Sequence, residues 1–144
     1  METSAPRLEY LKQRFAKEPL ATKCGMTLEK LESGFASVTY IADSDECVTN
    51  DNNQNIVQGG VLIGILADFA AVYAAMSSIS GGHTPLMFGS FSLQRPTLEG
   101  EIVSAEARVF NTSRQVISVS VRILGTNGKL KCEGAYHFSN SKHI

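Results

Sequence analysis

The stretch from Gln58 to Met76 limits what this chain can fold into more than any other. Two glycines, Gly59 and Gly60, open it, a long apolar run follows, and one carboxylate, Asp68, sits in the middle. The run has no proline and is rich in Ala, Leu and Ile, which predicts a helix. It is apolar on nearly every face, which predicts a helix enclosed in a core rather than lying on a surface. Asp68 is the only Asp, Glu, Lys or Arg between Asp51 and Arg95. An ionisable group is expensive to bury without a partner, so this one is a candidate reactive group. The same carboxylate, and a length short of the roughly 20 residues required, argue against a membrane span.

A chain of 144 residues, 43% of them hydrophobic, can bury one full core. A formal net charge of -1 and the lack of a basic stripe exclude an electrostatic case for nucleic acid. Cys24, Cys47 and Cys132 are scattered, with no CxxC pair, which reads as reduced thiols rather than a disulfide frame or a zinc site. The segment Met1 to Lys17 is charged and shows no apolar secretory signal, so a cytoplasmic location is expected. His83, His137 and His143 have no metal-ligand spacing, and neither a metal nor a cofactor is expected.

Around the central run the pattern alternates between two periods. Ser4 or Thr3 and Pro6 start a short amphipathic helix carrying Leu8, Leu11 and Phe15, which ends before Pro19. Met26 to Leu31 and Phe35 to Ala42 read as strands divided by a turn at Ser33-Gly34. Asp43 to Asn55 reads as a polar loop, and Ser77 to Pro85, with Gly81-Gly82, ends the helix. Four strand-like runs follow: Leu86 to Gln94, Glu101 to Phe110, Gln115 to Leu124 and Lys129 to Phe138. In the third, Ile117, Val119, Val121 and Ile123 face one way, and Val116, Ser118, Ser120 and Arg122 the other. The short links, with Asn127-Gly128 a strong hairpin signal, predict an antiparallel meander. The expected class is α+β: an antiparallel sheet wrapped around one long central helix, with a short N-terminal helix.

From Cys24-Gly25-Met26 to Phe138 the chain resembles the hotdog-fold acyl-CoA thioesterases of the phenylacetate-degradation (PaaI-like) type. The resemblance is carried by the Gly-Met start of the first strand, the Asn-rich loop, Gly59-Gly60, Leu66-Ala67-Asp68, Phe91-Ser92-Leu93-Gln94-Arg95-Pro96, and the run Glu99 to Val109. It implies a hotdog thioesterase domain over residues 21–144 and leaves outside it the N-terminal helix read from the pattern, residues 1–20. The family usually has His-Gly-Gly at the helix start, where this chain has Gln58-Gly59-Gly60, and its spacing to the acid is one residue shorter. Holding Asp68 in the acidic position puts Asn53 on the family's loop asparagine and Gly59 on its histidine. Holding Gln58 on the histidine puts Ala67 on the acid, and one helical step turns a side chain by about 100°. The first register is preferred, because Asn53, Asp68 and Pro96 then all keep family spacing. Leu86 stands where many members have a serine or threonine, with Thr84 and Ser90 nearby.

The expected chemistry is hydrolysis of an acyl-CoA thioester by water. Backbone N–H groups at a helix N-terminus are unpaired and favour negative charge, so Gly60, with Gly59 or Val61, can polarise the carbonyl. Asp68 can serve as general base or nucleophile. Asn53 or Gln58 can orient water or substrate, though a loop asparagine is also an ordinary turn former and Gln58 an N-cap-region donor. Leu62, Leu66, Phe69 and Met87 are expected along the acyl pocket. Arg95, Arg114 and Lys129 are candidates for the phosphates of coenzyme A. Gly64 inside the helix is expected to pack closely against the sheet or a partner helix. The resemblance further implies a homodimer or a dimer of dimers, with Asp68 of one subunit facing Gly60 of the other. Two rival readings are a hotdog dehydratase or hydratase, which needs a histidine near the helix, and a non-catalytic acyl-CoA binding or sensing protein.

Overall fold

The computed structural model describes residues 3–140; His143 lies outside them. Helix α1 (Ala5–Ala16) starts as the sequence predicts, with the Ser4 hydroxyl accepting from the Arg7 amide and Pro6 in the first turn. A second short helix, α2 (Pro19–Lys23), follows and was not expected. Pro19 ends one helix and starts the next, because its fixed φ suits a first helical turn.

Strands β1 (Met26–Glu32) and β2 (Phe35–Ile41) form a hairpin whose turn needs Gly34, at φ 77. The predicted loop holds a small hairpin of its own, β3 (Cys47–Thr49) paired with β4 (Asn55–Val57). Polar composition hid it. The turn is held by Asn50, whose side-chain oxygen accepts from the amides of Asn52 and Gln54. The later strands are β5 (Leu86–Leu93), β6 (Ile102–Thr112), β7 (Val116–Gly125) and β8 (Leu130–Ser139).

The six long strands form one antiparallel sheet in the order β1-β2-β6-β7-β8-β5. The expected meander is right for β6 to β8 and wrong for β5. That strand does not pair with β6; it joins β8 at the far edge, with Leu93 opposite Cys132 and Phe91 opposite Gly134. The link from β5 to β6 therefore crosses about three strand spacings, on the order of 15 Å, which its length in extended chain covers easily. A short link limits how far two strands can be apart; it does not make them neighbours.

The central helix, Gly59–Ser77, packs on the sheet face carrying Val38, Tyr40, Val103, Ala105, Val119, Val121 and Phe138. By length and composition it is apolar enough to cross a membrane, yet here it is the core of the domain. Leu66, Ala67, Ala70, Ala71 and Ala74 are fully buried against the sheet. On its other side α1 covers the C-terminal half, where Phe15 meets the rings of Phe69 and Tyr73 edge-on at 5.5 and 5.0 Å. The Arg7 guanidinium donates to the carbonyls of Met76 and Ile79, satisfying the end of the helix. An uncovered strip is left at Gly60 and Gly64, with Asp68 half-buried beside it. A Cβ on Gly64 would meet nothing within 4 Å, so this glycine does not pack against its own sheet.

Glycine is required where β5 meets β8. The ring of Phe91 lies over Gly134 and that of Tyr136 over Gly89, in two facing cross-strand pairs. A methyl group on Gly134 would strike the Ser90 carbonyl oxygen and lie 2.7 Å from the Phe91 ring. The backbone cannot yield without breaking the β5–β8 ladder. Gly134→Ala is expected to cost about 2–3 kcal/mol, read as a lower urea midpoint. An unchanged midpoint would show that β5 is not held in this register.

Candidate active site

The helix start forms because Gln58 holds an extended backbone (φ -62, ψ 132) as N-cap and the glycines follow in the first turn. The Gln58 side chain makes no capping bond. It folds back so that its Oε1 lies 2.7 Å from where a Cβ on Gly60 would be. The Val61 amide donates to the Gln58 carbonyl at 2.9 Å. Of the three amides proposed for polarising a carbonyl, those of Gly59 and Gly60 remain outside the helical bonding pattern. Gly59 sits under the end of β5, 3.1 Å from Leu93 Cδ1 measured from an added Cβ.

Between this start and Asp68 the helix is not regular. Leu62–Ala67 is a π-helical stretch, bonded i→i+5 rather than i→i+4. Such a stretch holds one residue more than a regular helix over the same turn. Asp68 therefore stands, relative to Gly59 and Gly60, where the preceding residue would stand in an unbroken α-helix. The choice between the two registers assumed a regular helix; the π stretch turns Asp68 back by about one helical step relative to Gln58. The Tyr136 hydroxyl, brought by β8, donates to the Ile63 carbonyl inside this stretch.

Asp68 opens into a cleft of about 640 Å³ between the central helix, α1 and the loop before β5. Phe69, Val72 and Met76 form its apolar side, and Arg14, Glu18, His83 and Thr84 bring polar groups. Burial pushes the Asp68 carboxyl up from 3.8 to about 6. Among the described residues its carboxylate makes no ion pair or hydrogen bond, so no partner offsets the cost of burying it. Across the cleft Tyr73 donates to Glu18 at 3.0 Å, and Arg14 approaches the same carboxylate at 3.7 Å. The Thr84 hydroxyl is buried, at 6% exposure, and has no hydrogen-bond partner among the described residues. Nothing in the sequence links α1 to Asp68, and Thr84 is only near the position where the resembled family has its serine or threonine; the fold brings both to the cleft.

The other predicted residues divide. Phe69 lines the cleft, whereas Leu62 and Leu66 are closed into the core against the sheet. Met87 is exposed at a bulge in β5. Asn53 takes the left-handed backbone (φ 59) at the tip of the β3–β4 hairpin, and its amide bonds locally to the Asn50 carbonyl. Arg95 is at the Leu93 end of the sheet, with Nη1 donating to the Leu130 carbonyl at 2.9 Å, and Lys129 begins β8's approach at that same end. Arg114 lies in the β6–β7 turn, beside the far end of β8. The sheet thus separates the two arginines within one chain. Among the described residues no three His, Cys, Asp or Glu side chains converge on a metal-sized space.

Neither a family model nor a curated protein matches this sequence. Solved structures do. Escherichia coli PaaI, from the phenylacetic acid degradation operon, superposes with a TM-score of 0.79 at 21% identity, over 92% of this chain and 94% of its own. The chain has the hotdog fold. A Haemophilus influenzae thioesterase matches at a TM-score of 0.78 and 20% identity, over 95% and 94% of the two chains. A hypothetical thioesterase from Streptococcus pneumoniae TIGR4, crystallised with a threonine and, separately, an aspartate replaced by alanine, matches at 0.70 and 17% identity, over 81% and 91%. At these identities the likeness is one of fold. In hotdog terms, the glycine turn and the acid stand at opposite ends of an irregular first half of the helix.

Proposed function

We propose that this protein is an acyl-CoA thioesterase whose active site is completed by a second copy of the chain. The observation that carries the reading is Asp68: a carboxylate without a partner, raised to about 6, opening into a largely apolar cleft. At neutral pH it is mostly ionised yet basic enough to take a proton. In the general-base route it removes a proton from water, and the hydroxide adds to the thioester carbon. The carbonyl oxygen becomes an oxyanion held by the Gly59 and Gly60 amides. The C–S bond then breaks, Asp68 returns the proton to the thiolate, and the products are a free acid and coenzyme A. In the nucleophilic route Asp68 itself adds to the carbon, the C–S bond breaks to release the coenzyme A thiolate, and water then cleaves the resulting anhydride to the free acid and the Asp68 carboxylate, the released proton going to the thiolate. The buried Thr84 hydroxyl is free to hold the water. The aspartate and threonine replaced in the Streptococcus pneumoniae protein are spaced in its chain as Asp68 and Thr84 are here.

One chain does not assemble these parts. Gly60 and Asp68 are roughly 12 Å apart along the helix axis at about 1.5 Å per residue, too far to share one carbonyl. Strand β5 supplies the remedy. It is an edge strand, and its Leu86, Met87, Phe88 and Leu93 are 49–59% exposed, a pattern that invites pairing. A two-fold axis pairing β5 with its copy sets the Leu86 end of one strand against the Leu93 end of the other. Thr84 and Pro85, just before Leu86, border the Asp68 cleft, and Leu93 touches Gly59. Asp68 of each subunit then faces Gly59 and Gly60 of the other, giving two equivalent sites. The Arg95 end of one subunit likewise approaches the Asp68 end of the partner, where the coenzyme A portion leaves the cleft.

The test is thiol release from a panel of short-, long-chain and aryl acyl-CoAs by the purified protein. Turnover of at least one class is expected, with a dimer or larger assembly by light scattering. A folded protein that turns over no panel member, or binds one tightly without releasing thiol, sinks the reading.

A further inference from the structure

The π stretch needs a cause. Leu62, Ile63, Ile65, Leu66 and Ala67 are good helix formers, and Gly64 faces open space, so no local packing forces an extra residue into this turn. The contact that distinguishes the stretch comes from elsewhere in the chain. Tyr136, on β8, is buried at 4% exposure, and its hydroxyl donates to the Ile63 carbonyl. Its ring is held on three sides, over Gly89 of β5, 5.1 Å from the Phe91 ring and 6.2 Å from that of Phe138. A ring so placed cannot follow the carbonyl if the helix tightens. Tightening to a regular α-helix would carry the first turn through about one residue, near 100°, relative to Asp68. The second half of the helix is fixed by its fully buried alanines, so the turn that moves is the one bearing Gly59 and Gly60.

We propose that Tyr136 is a positioning residue: its bond to the Ile63 carbonyl keeps the π turn in place and so sets the angle between the glycine turn and Asp68. In the dimer that angle decides whether the partner's carbonyl-binding amides meet the carboxylate. The inference rests on the thioesterase reading for its effect on rate, but not for its effect on the helix.

The extra residue provides a specific rescue. Deleting Gly64 from a regular helix leaves the same angle between Gly60 and Asp68 that the π turn now gives, and it removes the need for Tyr136. Tyr136→Phe keeps the ring and loses the bond. Its crystal structure is expected to show a regular α-helix through Ile63. Its kcat for the best acyl-CoA is expected to fall about 100-fold with little change in KM. Deletion of Gly64 is expected to keep near wild-type kcat both alone and combined with Tyr136→Phe. A merely structural tyrosine would not be rescued by shortening a helix it does not belong to. An unchanged π stretch in Tyr136→Phe overturns the proposal whether or not the protein proves to be a thioesterase. So does a double variant as slow as Tyr136→Phe alone. A wild-type protein inactive on every acyl-CoA counts against the thioesterase reading and leaves the crystallographic comparison to decide this one.

Discussion

Asp68→Asn is expected to lower thioester hydrolysis by about 10³-fold while making the protein more stable at neutral pH. The two effects have one cause. Burial without a partner raises the carboxyl from 3.8 to about 6, so the folded chain binds its proton more tightly than the unfolded chain does. Stability is therefore lost as pH rises from about 4 through about 6, and the whole cost is present above that. For a half-buried group it is about 2 kcal/mol, allowing for the water that still reaches it. Asparagine has no charge to bury, so at pH 8 the variant should melt several degrees higher than wild type, and at pH 4 the two should melt together. Calorimetry at both pH values and a thiol-release assay read the two effects separately. The wild-type rate should climb with pH to a plateau, inflecting at or above about 6, since the proposed dimer would bury the carboxylate further. A variant that loses activity and stability together would mean that Asp68 is a structural carboxylate with a partner, not a reactive one.

The largest test of the shared site is complementation between two inactive subunits. Gly60→Pro removes one carbonyl-binding amide. Proline is tolerated in the first helical turn, and Gly59 before it has no Cβ for the ring to strike. The nearest obstacle to the new side chain is the end of Gln58, which can swing away. Homodimers of Gly60→Pro and of Asp68→Asn should each be nearly inactive. When the two are unfolded together and refolded, half the dimers are mixed, and each mixed dimer has one site with a native Asp68 and a native Gly60. About a quarter of wild-type activity should return, with the second site of each mixed dimer dead. Simple mixing without subunit exchange should return none. If refolding restores nothing although mixed dimers form, then both groups act within one chain and the two-fold arrangement along β5 is wrong.

Much of the fold could be read from local pattern. Ile117, Val119, Val121 and Ile123 alternate with polar residues, and all four are buried on one face of β7. Ser4 caps α1 as its sequence implies. The β3–β4 hairpin was not legible, because three-residue strands among asparagines bury too little to leave an alternating pattern. The position of β5 was not legible either. Its sequence specifies a strand but not whether its neighbour is β6 or β8, and that choice rests on the facing Phe91–Gly134 and Tyr136–Gly89 pairs, made between distant segments.

The sequence by itself determined that one long apolar helix would be the core, that glycines would open it, and that a single carboxylate would be held in it. Those properties follow from composition and from a period of 3.6 residues, which are local. Only the tertiary structure decided which way that carboxylate faces. Counted along a regular helix, Asp68 is one residue late. In the folded chain a hydroxyl 73 residues away bonds to the Ile63 carbonyl, and the helix there is a π turn that holds one residue more than a regular turn, which sets the direction of Asp68 relative to the glycines. The enclosure of Asp68 by α1 and Thr84 was likewise out of reach of any local pattern. Burial is a property of what packs against a residue, and that is settled only when distant segments meet.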